Sequence, residues 1–142
     1  MPGTWRNAQT SPGIGSLTDV TTDASANDLT HDCIFCRIVA GETPAEIVHR
    51  GDGFLAFSDA DPKAPVHLLV IPERHVASIA EVGGLSEEER AQMPIFIAEV
   101  AVHAGLAESG YRVTTNHGPN ALQSVFHLHW HVMGGKRLSE SM

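Results

Sequence analysis

The chain has 142 residues, with 17 acidic against nine basic side chains and a formal charge of −8 at pH 7. That length suits one domain with its own core, and so little basic charge argues against nucleic-acid binding, because nothing is available to neutralise a run of phosphates. The chemistry must come instead from nine histidines and two cysteines.

Residues 1–31 are rich in Ser, Thr, Asp, Asn, Gly and Pro and show no apolar period. Such a segment cannot bury enough surface to offset the entropy of ordering it, so it reads as a flexible extension, with the globular domain expected over 32–142. Neither a signal-peptide core nor a membrane-spanning run is present, so a cytoplasmic protein without membrane contact is expected. "CIFCRIVAG" spaces Ile34, Phe35 and Ile38 along one face of a short helix that Gly41 closes. "EIVHR" and "GFLAFSD" flank Gly51-Asp52-Gly53 and read as a hairpin. "VHLLVI", before Pro72, is nearly all apolar and reads as a central strand. One long helix is predicted over 86–109: Ser86 and Glu89 make a capping box, acidic residues fill the first turn, and Gly110 stops it. Pro94 inside it should kink the helix or displace its start. "YRVTTN" and "SVFHLHWHVM", joined by "HGPNALQ", complete a five-stranded antiparallel sheet. The predicted class is α+β, with one long helix and a short N-terminal helix.

Alternation along the last strand puts Phe126, Leu128, Trp130 and Val132 on an apolar face for the long helix to cover. His127, His129 and His131 share the other face, which must be polar or functional, since stacked imidazoles make a poor dry core. Same-face neighbours on a strand sit about 6.5–7 Å apart, which separates His127 from His131 by roughly 13 Å. A zinc ion needs its nitrogens about 2.0–2.1 Å away, so two histidines of an H-x-H can share one and the third cannot. The central His129 is thus the candidate nucleophile or base. The competing readings are a metal-dependent hydrolase with H-x-H ligands and plain surface histidines. Cys33-x-x-Cys36 supplies half of a tetrahedral metal site, while redox chemistry or simple burial of two thiols stay open.

Taken together, "SVFHLHWHVMGG", "APVHLLVIPERH" and "CIFCRIVAGETPAEIV" resemble the histidine triad (HIT) family of nucleotide hydrolases and transferases, over about residues 33 to 138. Gly134-Gly135 after the triad is similar to the Hint branch. The resemblance implies a purine nucleoside phosphoramidase in which His129 attacks the α-phosphorus and forms a nucleotidyl-imidazole intermediate, with no metal required for catalysis. It further implies that Ser124 contacts phosphate and helps protonate the leaving group, that His131 donates to a phosphate oxygen, and that His67 stands beside the nucleophile. Asn116 would reach the sugar and phosphate, Asp59 the ribose hydroxyls, and Phe35, Ile38 and Phe57 would form the slot for the base. Leu122 and Gln123 would also bind the nucleotide. Ala121-Leu122 stands where the family often has two glycines, and Leu122 is expected to offer its N–H to phosphate from a negative φ. A structural zinc is implied on Cys33, Cys36, His75 and His127, with His31 as a substitute ligand. A homodimer is implied too, burying the wide apolar helix surface of Ile95, Phe96, Ile97, Val100 and Val102. Hydrolysis of dinucleoside polyphosphates and a nucleotide-binding scaffold role are the alternatives.

Overall fold

The computed structural model describes residues 32–141; the expected N-terminal extension and His31 lie outside them. The elements are α1 (Ile34–Val39), β1 (Ile47–Gly51), β2 (Phe54–Ser58), β3 (Val66–Pro72), a 3-10 segment (Ile79–Gly84), α2 (Glu87–His103), β4 (Tyr111–Thr114), a 3-10 turn (Pro119–Ala121) and β5 (Trp130–Gly134). The five strands form one sheet in the order β1-β2-β3-β5-β4, and every neighbouring pair is antiparallel. The α+β class and five-stranded sheet agree with the sequence.

Asp52 and Gly53 both take positive φ, 59° and 86°. Two such residues between Gly51 and its partner Phe54 make the tight turn whose twist matches the flanking strands. Near the start of β1 the register slips: Ile47 faces Phe57 but His49 faces Ala56, leaving Val48 as an extra, bulged residue.

Side chains alternate cleanly across β2 and β3, and both faces are covered. Phe54, Ala56, Leu68, Val70, Leu128 and Val132 pack with Met93, Phe96, Ile97, Val100 and Ala101 of α2. Leu55, Phe57, Leu69 and Ile71 pack on the other side with Phe35 and Ile38 of α1. The sheet is therefore a septum between a large apolar core and a smaller one beneath the short helix.

Both helices end by the same device. At Gly41 and Gly105, φ is +80° and +77°. The next residues, Glu42 and Leu106, send their N–H groups back to the carbonyls of Arg37 and Ala101 at 2.8 and 2.9 Å. These are Schellman closures, which need a residue able to enter the left-handed region. The stop expected at Gly110 thus comes earlier, at Gly105, and α2 is shorter than 86–109. Its start is as expected, with Ser86 and Glu89 capping each other reciprocally. Pro94 neither displaces that start nor ends the helix.

The last strand is also shorter than expected. Its pairing begins where Trp130 meets Val70 and His131 meets Thr114, so residues 124–129 lie outside the ladder. Phe126, placed by alternation on the apolar face, is 60% exposed, because the chain there has left both neighbouring strands. Leu128 keeps its core position, with its N–H donated to the Val76 carbonyl at 2.7 Å. No helix among the described residues is long and apolar enough to cross a membrane.

Candidate functional site

The triad does alternate toward the α1 side, and each ring enters a different environment. His127 is fully buried. Its Nε2–H donates to the Pro72 carbonyl at 2.8 Å. A carbonyl can only accept, so Nδ1 carries the lone pair. That nitrogen lies 3.4 Å from Cys33 Sγ, 3.5 Å from Cys36 Sγ and 3.2 Å from His75 Nδ1, and Cys36 Sγ is 3.3 Å from His75 Nδ1. The four donor atoms all lie within 4.8 Å of one another and could hold a metal ion. Tetrahedral ligands at zinc bond lengths stand about 3.3–3.8 Å apart, so the chemistry and spacing of these donors suit such an ion. The thiols are also unlike each other. A hydrogen bond from Cys36 draws the Cys33 thiol far below its ordinary range, and the same bond pushes Cys36 up.

His129 uses its other nitrogen. Its Nδ1–H donates to the His127 carbonyl at 2.8 Å, which leaves the lone pair on Nε2. Burial pushes its pKa down, so the ring is neutral near pH 7. Two contacts fix its position: the Thr115 hydroxyl donates to the His129 carbonyl at 2.6 Å, and Phe35 meets the ring edge-on at 5.2 Å.

A third cluster combines His67, His131 and Asp59. The Lys63 backbone N–H donates to His67 Nδ1 at 2.9 Å, so the His67 proton must sit on Nε2. From there it faces His131 Nδ1 at 2.9 Å and Asp59 Oδ2 at 3.3 Å. His131 accepts on Nδ1 and therefore keeps its own proton on Nε2. Spacing alone would allow a cation among these three residues. The tautomers argue otherwise, because the His67 nitrogen facing the cluster holds a hydrogen and has no free lone pair. Burial depresses His67, and burial together with the neighbouring His129 and His67 rings lowers His131 to about 4. All three rings are uncharged at neutral pH.

The remaining expected residues sort unevenly. Phe35, Ile38 and Phe57 do form one apolar wall, with Phe35 edge-on to Phe57 at 5.4 Å. Asp59 is half-buried beside His67, its Oδ1 accepting from the Asp61 N–H at 2.8 Å. Ser124 is exposed on the segment leading into the triad, and Asn116 is half-buried just beyond β4. Leu122 departs from expectation. Its φ is +63°, not negative, and its N–H is already donated to the Pro119 carbonyl at 3.0 Å. The Gln123 amide nitrogen donates to the carbonyls of Ala77 and Val125, and its backbone N–H to that of Gly118. With those donors engaged, Gln123 braces the loop. The buried Ser78, 2.7 Å from His117 Nδ1, ties the same loop to the segment after β3. Sequence reasoning missed Lys63, Pro72, Thr115 and Ser78; all four act through backbone groups or a distant hydroxyl and leave no local pattern.

The HIT domain family matches residues 40–138. The chain belongs to the HIT domain family. Among its relatives in that family, a HIT-like protein of Helicobacter pylori (strain ATCC 700392 / 26695) is 43% identical over 104 residues, covering 73% of this chain and 97% of the relative. The purine nucleoside phosphoramidase of Escherichia coli (strain K12) is 34% identical over 110 residues, covering 78% and 92%. Among solved structures, the HIT family hydrolase of Legionella pneumophila Philadelphia 1 superposes with a TM-score of 0.69 at 37% identity, covering 77% of this chain and 97% of that one.

A cleft of about 560 Å³ lies on the opposite face from the HIT histidines, lined by Met93, Pro94, Ile97, Val113 and Trp130 among others. It flanks β4, whose outer edge has no strand partner among the described residues. The helix surface expected to be surplus is mostly not: Phe96 and Val100 are fully buried and Ile97 nearly so, leaving Ile95 and Val102 exposed.

Proposed function

We propose that this HIT protein hydrolyses purine nucleoside 5′-phosphoramidates through a nucleotidyl intermediate on His129. The observation that carries the reading is the bond from His129 Nδ1–H to the His127 carbonyl, which aims an uncharged Nε2 lone pair out of the buried ring. Attack by that lone pair on the α-phosphorus forms a P–N bond to the imidazole. The P–N bond to the leaving amine breaks, and its electron pair stays on the amine, which takes up a proton with help from Ser124. The His131 Nε2–H, fixed by His67, donates to a phosphate oxygen as charge builds there. Water then attacks the phosphorus, releases the nucleoside monophosphate and restores the His129 lone pair. Asn116 and Asp59 would hold the sugar and phosphate side, and the Phe35, Ile38 and Phe57 wall the base. The 34% identical phosphoramidase supports the substrate class.

In this reading zinc is the ion held by Cys33, Cys36, His75 and His127. It supplies cross-linking only, because four protein donors leave no open position for activated water. Residues 1–31 form an extension to a HIT domain over 32–142. A second copy fills the cleft beside β4, joining two sheets edge to edge about a two-fold axis. Light scattering at micromolar concentration should give twice the chain mass, and a monomer would remove this part. The substrate assignment is tested by incubating the protein with an AMP–amine conjugate and with diadenosine polyphosphates, each with and without chelator. Cleavage of the conjugate alone, indifferent to chelator over short times, is expected. Preference for the polyphosphates would replace the reading with the alternative hydrolase, and turnover of neither would leave a binding protein.

A further inference from the structure

The geometry points to Cys33 and Cys36 as a peroxide-sensitive dithiol: oxidation joins them in a disulfide, ejects the metal and releases the wall that holds His129. This rests on the metal reading above. The two thiols are free, only half-buried, and separated by one turn at the start of α1. Both sulfurs fall within the group of four donor atoms lying no more than 4.8 Å apart, so they are close without any large chain movement.

The chemistry needs hydrogen peroxide as oxidant. One sulfur attacks a peroxide oxygen, the O–O bond breaks, and a sulfenic acid and one water form. The second sulfur attacks the first, the S–S bond forms, the S–O bond breaks, and a second water leaves. Two thiolates give up two electrons, solvent supplies two protons, and a divalent ion keeps only two imidazoles of its four donors. Disulfide sulfurs are poor metal ligands, so the ion departs.

The consequence for the site follows from how α1 is held. At its C-terminal end, Arg50 donates to the Val39 carbonyl at 3.1 Å while also pairing with Glu73 at 2.9 Å. At its N-terminal end, the sulfurs face His75 and His127 and add to the packing of Phe35 against Phe57. Phe35 lies between the two cysteines and makes edge contacts with His127, His129 and Phe57. Losing the ion therefore loosens the one turn that carries the contact to His129, leaving it held by apolar packing alone, while the far end of α1 stays attached.

The test takes the full chain loaded with zinc, its content fixed by elemental analysis before any oxidant is added. Hydrogen peroxide is titrated in, released zinc is read with a chromogenic chelator, and the Cys33–Cys36 peptide is mapped by mass. AMP affinity is measured in parallel by calorimetry. The expected result is one zinc released per disulfide, AMP binding weakened about fivefold or more, and both reversed by dithiol plus zinc. In Phe35→Leu, zinc release should persist while the affinity difference between reduced and oxidised protein shrinks. Oxidation of the cysteines to sulfinic acids without a disulfide would overturn the proposal, as would zinc release with unchanged AMP affinity in the unmutated chain. A chain that takes up no zinc at all would overturn the metal reading itself, and that is known before peroxide is added.

Discussion

His127 and His129 stand two residues apart, face the same side of the sheet, and each donates one ring N–H to a backbone carbonyl. They differ in which nitrogen does so: Nε2 toward Pro72 for His127, Nδ1 toward the His127 carbonyl for His129. The first choice leaves a lone pair directed at two sulfurs and a third imidazole, the second a lone pair directed away from them. In the proposed reading, identical side chains would thus be assigned to metal binding and to nucleophilic attack by acceptors that cost no side chain at all. A carbonyl is well suited to this, since it cannot reverse the direction of the bond as a hydroxyl or an amide could.

The sharpest way to break the comparison is to remove one ring at a time. His129→Ala should lower turnover by about 10⁴-fold or more while nucleotide binding stays within roughly tenfold and zinc content is unchanged. Mass spectrometry of quenched reactions should find the nucleotidyl adduct in the unmutated chain alone. His127→Ala should do the reverse, losing zinc first. Activity in His129→Ala would mean that the two roles are not divided between these rings.

Metal removal comes next. The stripped protein should melt about 5–15 °C lower and bind nucleotide more weakly, since α1 loses its cross-link, yet still form adduct at saturating substrate. Folded apo-protein that forms no adduct until zinc returns would place the ion in the chemistry.

A smaller effect is expected at His67. Gln can accept from the Lys63 N–H but cannot present the same ring proton to His131, so His67→Gln should lower kcat about 10- to 100-fold with little change in KM. An equal loss in KM alone would show a binding role instead.

The mildest effect is on stability with pH. His131 binds its proton near pH 4 in the folded chain and near 6.5 when unfolded. Below 6.5 the unfolded chain takes up a proton that the folded one refuses, so stability falls progressively from about pH 6.5 toward 4 and gains nothing above that range. His67 and His129 shift in the same direction. Replacing His131 with Asn should flatten the dependence of Tm on pH across this window; an unchanged slope would assign it to other groups.

What the sequence made legible is what local chemistry decides. Asp52-Gly53 encodes its turn, Ser86 and Glu89 their cap, and strict alternation puts three histidines on one face; that Cys33 and Cys36 approach the first of them is implied only by the resemblance to the HIT family. What it hid depends on partners far along the chain. Residues 124–129 alternate as well as any strand, yet β3 and β4 do not accompany them, so Phe126 is left in solvent. Gly110 is the stop the sequence suggests, yet the helix closes at Gly105, where the turn carries Leu106 into the core. Leu122 takes a left-handed conformation that costs a non-glycine residue about 1–2 kcal/mol, and the 3-10 turn before it and the Gln123 brace after it impose that shape. No reading of Leu122 by itself would have foreseen it.

The extra residue at Val48 has a bearing on assembly. A sheet with two bare margins can add copies at both and grow without limit, whereas one with a single usable margin stops after two. The slip between Ile47 and His49 breaks the even row of N–H and C=O groups along β1, although Ile47 and Val48 are exposed there and would otherwise invite a neighbour. In the proposed dimer, growth would thereby be confined to the β4 side, with one irregular residue standing between a closed pair and a fibre.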